Sequence, residues 1–153
     1  MSLDRDWIAG HIPHQGRMCL LDQVLFWDAG CIECTSTTHR APDHPLRAHG
    51  RLGAVCLIEY AAQAMAVHGA LLLSPPESSS AFGMLTSARA VELFVARLDD
   101  VAGELLIRAE RQHSDGRGAL YGFRVTDGQR LLAQGRASLL LDGAALAAAG
   151  PLP

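Results

Sequence analysis

The sequence predicts an α+β fold in which one long apolar helix packs against an antiparallel sheet. The run from Leu52 to Leu73 is rich in alanine, leucine and methionine and poor in β-branched residues, which favours a helix. Strand-like segments follow it, separated by the hairpin dipeptides Asp115-Gly116 and Asp127-Gly128. Because a helix that is apolar nearly all round must be covered on every side, we expect the sheet to curl around it.

The other elements are predicted in chain order around this helix. A short helix opens the chain, and the long helix ends at Ser74-Pro75-Pro76, because proline cannot continue a helix. A polar loop follows at 74–80. The predicted β-strands span 19–27, 31–39, 104–111, 119–125 and 130–141. No linker or repeat interrupts the chain, so we expect a single domain over 1–153, with a core at about 8–141 and a C-terminal tail at 142–153.

Composition and charge exclude several classes of protein. Hydrophobic residues make up 49% of the chain and charged residues 19%, with a net charge of −3 and no block of like charge; neither disorder nor nucleic-acid binding is indicated. The N-terminus lacks the pattern of a signal peptide, and a cytoplasmic protein is expected. The apolar run is long enough to span a membrane, but Glu59, Gln63 and His68 lie inside it and argue against insertion.

Cys31 and Cys34 have the spacing of half a zinc or redox site. Their surroundings are rich in β-forming residues, however, and residues three apart in a strand point to opposite faces, about 10 Å apart. No second CxxC pair occurs in the sequence. We therefore expect reduced structural cysteines and no metal site.

Glu59 is the one carboxylate inside the apolar run, and its burial is costly unless it is paired, neutralised or used. Residues three and four apart share a helix face, so Glu59 lines up with Ala62, Gln63 and Ala66, and the small alanines leave room for a ligand. Two interpretations stay open. Glu59 is either satisfied by the backbone or by Gln63, or it is a carboxyl with a raised pKa that serves as a general acid.

A loop rich in proline and glycine leads into the helix and carries two histidines, His44 and His49. Histidine together with a carboxyl suits proton abstraction and donation near neutral pH. The helix start near Gly53 and Ala54 offers backbone N–H groups that can hold a developing oxyanion. A base, an acid and an oxyanion site are therefore expected to meet here, although a loop histidine is more often merely solvated.

Two segments resemble the β-hydroxyacyl-acyl carrier protein dehydratases. Ile12-Pro-His-Gln-Gly-Arg-Met-Cys-Leu-Leu-Asp-Gln-Val24 resembles the N-terminal "PH…LLxDxV" segment of that family, and Leu57-Ile-Glu-Tyr-Ala-Ala-Gln-Ala-Met65 resembles the "IEAMAQA" start of its central helix. The resemblance spans about residues 8–141 and implies the hotdog fold, a long helix wrapped by a curved antiparallel sheet. The loop before the helix is similar to a divergent branch that includes dehydratase-like proteins of aryl polyene pathways.

The resemblance implies dehydration of a 3-hydroxyacyl thioester without a metal or redox cofactor. In the family a histidine takes the C2 proton, a carboxyl on the partner subunit's helix protonates the departing hydroxyl, and a backbone N–H at the helix start holds the thioester oxygen. By position, Glu59 is then the acid and Gln63 its polar neighbour, and Gly53 and Ala54 bind the substrate.

The loop departs from the family pattern at the histidine. The family histidine precedes the carboxyl by fourteen positions, and the count from Glu59 reaches Pro45, one residue beyond His44. His44 is therefore the preferred base and His49 the alternative. His14, which belongs to the N-terminal motif, is expected to order that segment near Trp7 or Asp22.

The expected function is a 3-hydroxyacyl-(acyl carrier protein) dehydratase of fatty acid or aryl polyene-type biosynthesis. Two alternatives remain open: a hotdog acyl thioesterase, and a non-catalytic hotdog subunit that pairs with an active dehydratase. The resemblance implies a carrier-bound thioester as substrate, and Arg89, Arg97 and Arg136 could meet the acidic carrier. The free sheet edges predict a dimer, either with a second copy or with another hotdog subunit.

Overall fold

The computed structural model describes residues 3–72, 83–115 and 117–141. Within these residues lie two α-helices, α1 (Arg5–Ala9) and α2 (Leu57–Leu71). Six strands accompany them: β1 (Gln23–Trp27), β2 (Cys31–Ser36), β3 (Gly83–Leu93), β4 (Leu105–Ser114), β5 (Gly118–Thr126) and β6 (Leu131–Leu141). The predicted N-terminal helix, early hairpin, long helix and strand meander are therefore confirmed. The predicted polar loop at 74–80 and the tail at 142–153 lie outside the described residues.

The six strands form one antiparallel sheet in the order β1-β2-β4-β5-β6-β3. Helix α2 contacts five of them, from β2 through β6, so the sheet covers the helix as predicted. Strands β1 and β3 are the two edges of the sheet. An edge strand presents unpaired backbone N–H and C=O groups, which makes both edges candidates for contact with another chain.

The turns between strands follow the dipeptides that predicted them. The side chain of Asp127 accepts hydrogen bonds from the backbone N–H groups of Gln129 and Arg130, at 3.1 and 2.9 Å, and Gly128 adopts φ +94°. Asp28 accepts in the same way from Gly30 and Cys31, both at 2.8 Å, and closes the first hairpin. In each case a short acidic side chain stabilises the turn by capping backbone donors.

The cysteines are free thiols, as expected. Cys31 and Cys34 are buried in β2, and burial raises the pKa of both, that of Cys34 to about 12. Such thiols are protonated at neutral pH and are poor nucleophiles and metal ligands. Among the described residues, no three histidine, cysteine, aspartate or glutamate side chains are grouped so that they could hold a metal ion.

Helix α2 is buried on almost every side, and its core-facing residues include Leu57, Tyr60 and Met65. Together with the preceding 3-10 turn it forms a stretch, Ala54–Leu71, that is long and apolar enough to cross a membrane. In this fold 72% of that stretch is buried inside the protein. The core helix of a globular protein meets the same length and composition test, so the helix is weak evidence for a membrane span.

The helix begins later than the apolar run predicted. The backbone N–H of Ala54 donates to the carbonyl of Ala96, and the N–H of Leu98 donates to the carbonyl of Leu52. Leu52 and Ala54 therefore pair with the segment after β3, and Gly53 between them has an extended backbone (φ −69°, ψ 149°) instead of helical geometry. A 3-10 turn at Ala54–Cys56 bridges this paired segment to α2, a common way for a helix to start.

Candidate active site

Glu59 lies in the first turn of α2, where two side chains donate to the same carboxylate oxygen. His14 Nε2 lies 2.8 Å from Glu59 Oε1, and Gln63 Nε2 donates to Oε1 at 3.1 Å. The Gln63 contact follows from the spacing of four residues on one helix face. No donor within the described part of the chain contacts Oε2. One carboxylate oxygen is thus held, and the other is left for an outside group.

Gln63 is fixed by the N-terminal segment that runs beside the helix. Its Oε1 accepts from the backbone N–H of Leu20 at 2.9 Å, and its Nε2 also donates to the carbonyl of Met18 at 2.8 Å. The side chain is fully buried. Because the amide oxygen and nitrogen each have a matching partner, the amide has one defined orientation and directs its N–H toward Glu59.

The segment that carries His14 is anchored in the core on both sides of this residue. Ile12 is 5% exposed, and Leu20 and Leu21 are fully buried. The guanidinium of Arg5 adds hydrogen bonds to the carbonyl of Cys19 and, at 3.0 Å, to the carboxylate of Asp22. The "PH…LLxDxV" segment therefore does more than cover the core, since it delivers a histidine and two backbone partners to the start of α2.

The pKa of Glu59 differs from the sequence expectation. Burial raises the pKa, but the hydrogen bonds from His14 and Gln63, together with the charge of His14, outweigh it and leave the pKa below its usual value. The prediction of a raised pKa is therefore wrong for the isolated chain. With this lowered pKa the carboxylate is ionised at neutral pH. It is also accessible, because 29% of the side-chain surface is exposed.

His44 occupies a buried position on a different side of the helix. The backbone N–H of Leu46 donates to His44 Nδ1 at 3.0 Å, which places the ring proton on Nε2, and Nε2 donates to the Tyr60 hydroxyl at 3.0 Å. Tyr60 follows Glu59 and points about 100° around the helix from it. The Tyr60 hydroxyl also contacts Thr38 Oγ1 at 2.7 Å. Both His44 nitrogens are therefore engaged in packing the loop against the core.

Burial, with a contribution from the nearby charge of Arg47, lowers the pKa of His44, so the ring is neutral near pH 7. A neutral ring whose lone pair accepts from Leu46 has none free to take a proton. The alternative base, His49, lies at the tip of a tight turn closed by Ala48 and Arg51, is exposed and has φ +55°. Neither histidine contacts Glu59 of the same chain.

At the helix start, where an oxyanion site is predicted, two backbone N–H groups already donate to carbonyls of the chain. The backbone N–H of Ala54 donates to Ala96 at 3.1 Å, and that of Cys56 donates to Gly53 at 3.1 Å. Ala54 therefore has no N–H to offer a thioester oxygen in this conformation. Gly53 forms a β-bridge with Arg97 beside the same turn. The structure brings together Glu59, Gln63 and His14, while His44, His49 and Ala54 lie apart from that cluster.

His14 is the site residue whose position sequence reasoning missed. Trp7, its expected neighbour, instead stacks on His11, with ring centroids 3.8 Å apart, and Asp22 pairs with Arg5. The motif that contains His14 was the available signal. Helical spacing links only residues of one helix, and it gave no reason to place a histidine 45 positions earlier beside Glu59.

His39 and His68 have structural positions, and His113 is solvated. His68 Nε2 donates to the carbonyl of Asp28 at 2.7 Å, and its Nδ1 lies 2.6 Å from the Tyr121 hydroxyl. His39 Nε2 donates to the carbonyl of Val101 at 2.9 Å. Both rings are fully buried, while His113 is exposed on β4.

Comparison with known proteins gives one family and a set of related folds. The model of the ApeP-like family, described as ApeP dehydratase, matches residues 7–144. Among solved structures, a chain of the dehydratase heterocomplex ApeI:P from Xenorhabdus doucetiae is 25% identical and superposes with a TM-score of 0.79, over 93% of this chain and 95% of that chain. No curated protein sequence matches the chain.

More distant structures share the fold alone. AziG of S. sahachiroi is 18% identical with a TM-score of 0.57, over 82% of this chain and 92% of that chain. A thioesterase from Haemophilus influenzae is 13% identical with a TM-score of 0.56, over 78% of this chain and 76% of that chain. The helix and sheet described above thus correspond to the hotdog fold, as predicted.

Proposed function

The chain belongs to the ApeP-like dehydratase family, which makes it a hydro-lyase, and from this premise we propose that it removes water from a 3-hydroxyacyl thioester carried on an acyl carrier protein. The observation that carries the proposal is the carboxyl of Glu59, held through Oε1 by His14 and Gln63 while Oε2 stays free. A carboxyl positioned in this way can give a proton to a leaving hydroxyl group.

The proposed reaction uses one base and one acid. A base takes the C2 proton of the thioester, the C–H electrons form the C2–C3 double bond, and the C3–O bond breaks. The departing oxygen takes a proton from Glu59 and leaves as water. Glu59 must be protonated at that moment, although it is ionised in the isolated chain. Burial acts to raise the pKa of Glu59 against the hydrogen bonds that lower it, so cover by an apolar acyl chain shifts the balance toward the protonated form.

We place the base on a second hotdog subunit. Both nitrogens of His44 are engaged within this chain, and His49 is exposed away from the cluster. The related ApeI:P dehydratase is named a heterocomplex, and an analogous pairing supplies a histidine without any rearrangement of this chain. In this proposal the chain provides the acid half of a shared site.

An apolar surface beside the helix start supports such a pairing. The hydrogen bond between Ala54 and Ala96 brings the segment after β3 to the start of α2. Val55 and Phe94, each within two residues of that bond, are 59% and 50% exposed. Met84 on edge strand β3 is 58% exposed as well. Met84 and Phe94 lie near opposite ends of β3, so exposed apolar side chains occur along this free sheet edge as well as at the helix start, which is typical of a surface that another subunit covers.

The carrier protein is the proposed source of the substrate, in the cytoplasm. Arg89 and Arg136 face each other across β3 and β6, and both are exposed, which suits contact with an acidic partner. Arg97, a third candidate in the sequence, is instead bound to the carboxylate of Asp99. The proposed carrier contact therefore rests on the first two arginines.

The test is dehydration of 3-hydroxyacyl thioesters by the chain alone and together with a hotdog subunit that copurifies with it, followed by enoyl absorbance in the ultraviolet. We expect turnover from the pair and little or none from the chain alone. Turnover by the chain alone, as a homodimer, would contradict the assignment of the base to a second subunit. Absence of turnover under both conditions would contradict the dehydratase proposal itself.

Replacing His44 separates a structural from a catalytic role. We expect His44→Asn to keep an acceptor for the Leu46 N–H but to lose the bond to Tyr60, and so to lower the free energy of unfolding by about 1–3 kcal/mol. Turnover of the folded pair should stay within a few-fold of wild type. Denaturant unfolding and enoyl formation measure the two effects.

The exposed loop histidine provides the matched control. His49→Asn should change neither quantity, because its side chain is exposed and Asn tolerates positive φ. A His44→Asn protein of normal stability that has lost turnover would show that His44 is the base after all.

The ionised state of Glu59 favours one second candidate, a thioesterase. A carboxylate can activate water or attack a thioester directly. This is the chemistry of a hotdog acyl thioesterase, the alternative function predicted from the sequence. The two reactions differ in product, since hydrolysis releases a free thiol and dehydration leaves the thioester intact. A thiol-reactive dye added to the same assay distinguishes them, and we expect no dye reaction above the uncatalysed rate.

A further inference from the structure

We propose that His14 is a positioning residue for Glu59 and that it determines which carboxylate oxygen carries the transferred proton. The proposal rests on the function proposed above, in which Glu59 is the acid. It assigns His14 no direct contact with the substrate. Its basis is the geometry around Glu59 Oε1.

The donor in the His14–Glu59 contact is defined by the surroundings of the ring. A carboxylate only accepts hydrogen bonds, so Nε2, at 2.8 Å, carries the proton. His14 Nδ1 is buried and has no hydrogen-bond partner in the described part of the chain. The contact with Glu59 therefore assigns a proton to Nε2, the nitrogen that faces the carboxylate.

Two donors on one oxygen make the two carboxylate oxygens unequal. A proton on Oε1 would face the N–H groups of both His14 and Gln63 and would cost at least one of these bonds. A proton on Oε2 disturbs neither. The acid proton therefore resides on Oε2, the oxygen that no described residue contacts. An acid with a defined proton position reacts without first reorienting.

The same N-terminal segment positions both His14 and Gln63. Gln63 bonds to the backbone of Met18 and Leu20, and His14 lies four residues before Met18 in that segment. Gln63 provides a neutral amide donor and His14 a ring donor. The charge of His14 contributes to lowering the pKa of the Glu59 carboxyl, and the charge of Glu59 adds to burial in raising the pKa of the Cys56 thiol. The loss of His14 leaves Gln63 in place, so a His14 variant tests the ring alone.

The experiment compares His14→Ala with His14→Gln in the assembled dehydratase. The Ala variant loses the donor, and kcat should fall by about 10- to 100-fold with KM changed less than about threefold, since misplacement of a reacting group costs that much. The Gln variant can place its Nε2 where the histidine Nε2 lies, and it should recover kcat to within about fivefold of wild type. His11→Gln, in the same segment but away from Glu59, is the matched control and should leave kcat unchanged.

A second measurement on the chain alone keeps this proposal separate from the proposed function. Carbon-13 NMR of the Glu59 carboxyl should show its pKa rising in His14→Ala, because a hydrogen bond to the charged form is lost. If the wild-type pair shows no turnover but this shift occurs, the proposed function fails while the His14–Glu59 contact stands. An unchanged Glu59 pKa, full kcat in His14→Ala, or a Gln variant as slow as the Ala variant would each overturn the positioning role.

Discussion

Glu59→Gln should reduce the rate of enoyl formation by about 10²- to 10⁴-fold, which is the range that a general acid contributes. An amide cannot give up a proton at neutral pH, so the variant has no acid for the leaving hydroxyl group. The side chain still fits its place, because its carbonyl oxygen can accept from both His14 Nε2 and Gln63 Nε2 where Oε1 does now. Enoyl absorbance measures the rate.

The stability and assembly of this variant decide between the two interpretations of Glu59. The midpoint of thermal unfolding and coelution with the partner subunit should match wild type if the carboxyl serves chemistry. An unfolded or unassembled variant would favour a structural role, and full activity would refute the assignment of the site. Glu104→Gln, an exposed carboxyl between β3 and β4, is the control and should change nothing.

The pair of Glu59 and Gln63 shows what the sequence could predict about the site. Four-residue spacing on a helix brings two side chains to one face whatever the rest of the fold does. The apolar run around them identified the helix, and turn residues such as Asp127 located the hairpins. These are local properties, which depend on neighbours in the chain and on the preferences of individual residues.

The histidines show what the sequence could not predict. The spacing from Glu59 predicted His44 as the base. Whether its ring nitrogens are free depends on Tyr60 and on the Leu46 amide, and these contacts form only when the loop folds onto the helix. His14 reaches Glu59 because a segment without regular structure packs beside α2, and no periodic pattern encodes that path. The pKa of Glu59 depends in turn on His14, so its direction was missed together with the contact.

Three buried histidines should make the fold sensitive to mild acid. Burial is the largest influence on His39, His44 and His68, and it lowers the pKa of each below the ordinary value near 6.5. In the unfolded chain they bind protons as the pH falls through 6.5, whereas in the folded protein they stay neutral. The unfolded state then holds more protons, so the free energy of unfolding falls with decreasing pH.

The size and the pH range of this effect separate it from carboxylate titration. Each histidine contributes at most about 1.4 kcal/mol per pH unit between its lowered pKa and 6.5, so three contribute up to about 4 kcal/mol per unit. Glu59, whose pKa is lowered from an ordinary value near 4.5, loses its contribution only at lower pH. Denaturant unfolding between pH 7 and pH 5 therefore reports mainly the histidines.

One substitution can remove a single titrating group while it keeps the native hydrogen bond. In His39→Gln the amide Nε2 can donate to the Val101 carbonyl as the ring does now, and the pH slope of the unfolding free energy should fall by about one third. His113→Gln, at an exposed position, should leave the slope unchanged.

A flat profile for wild type, or equal effects of the two variants, would mean that the buried rings become protonated in the folded state. The hydrogen bonds of His44 to Tyr60 and Leu46 would then not persist in mild acid, and the Leu46 amide would occupy the His44 lone pair only near neutral pH.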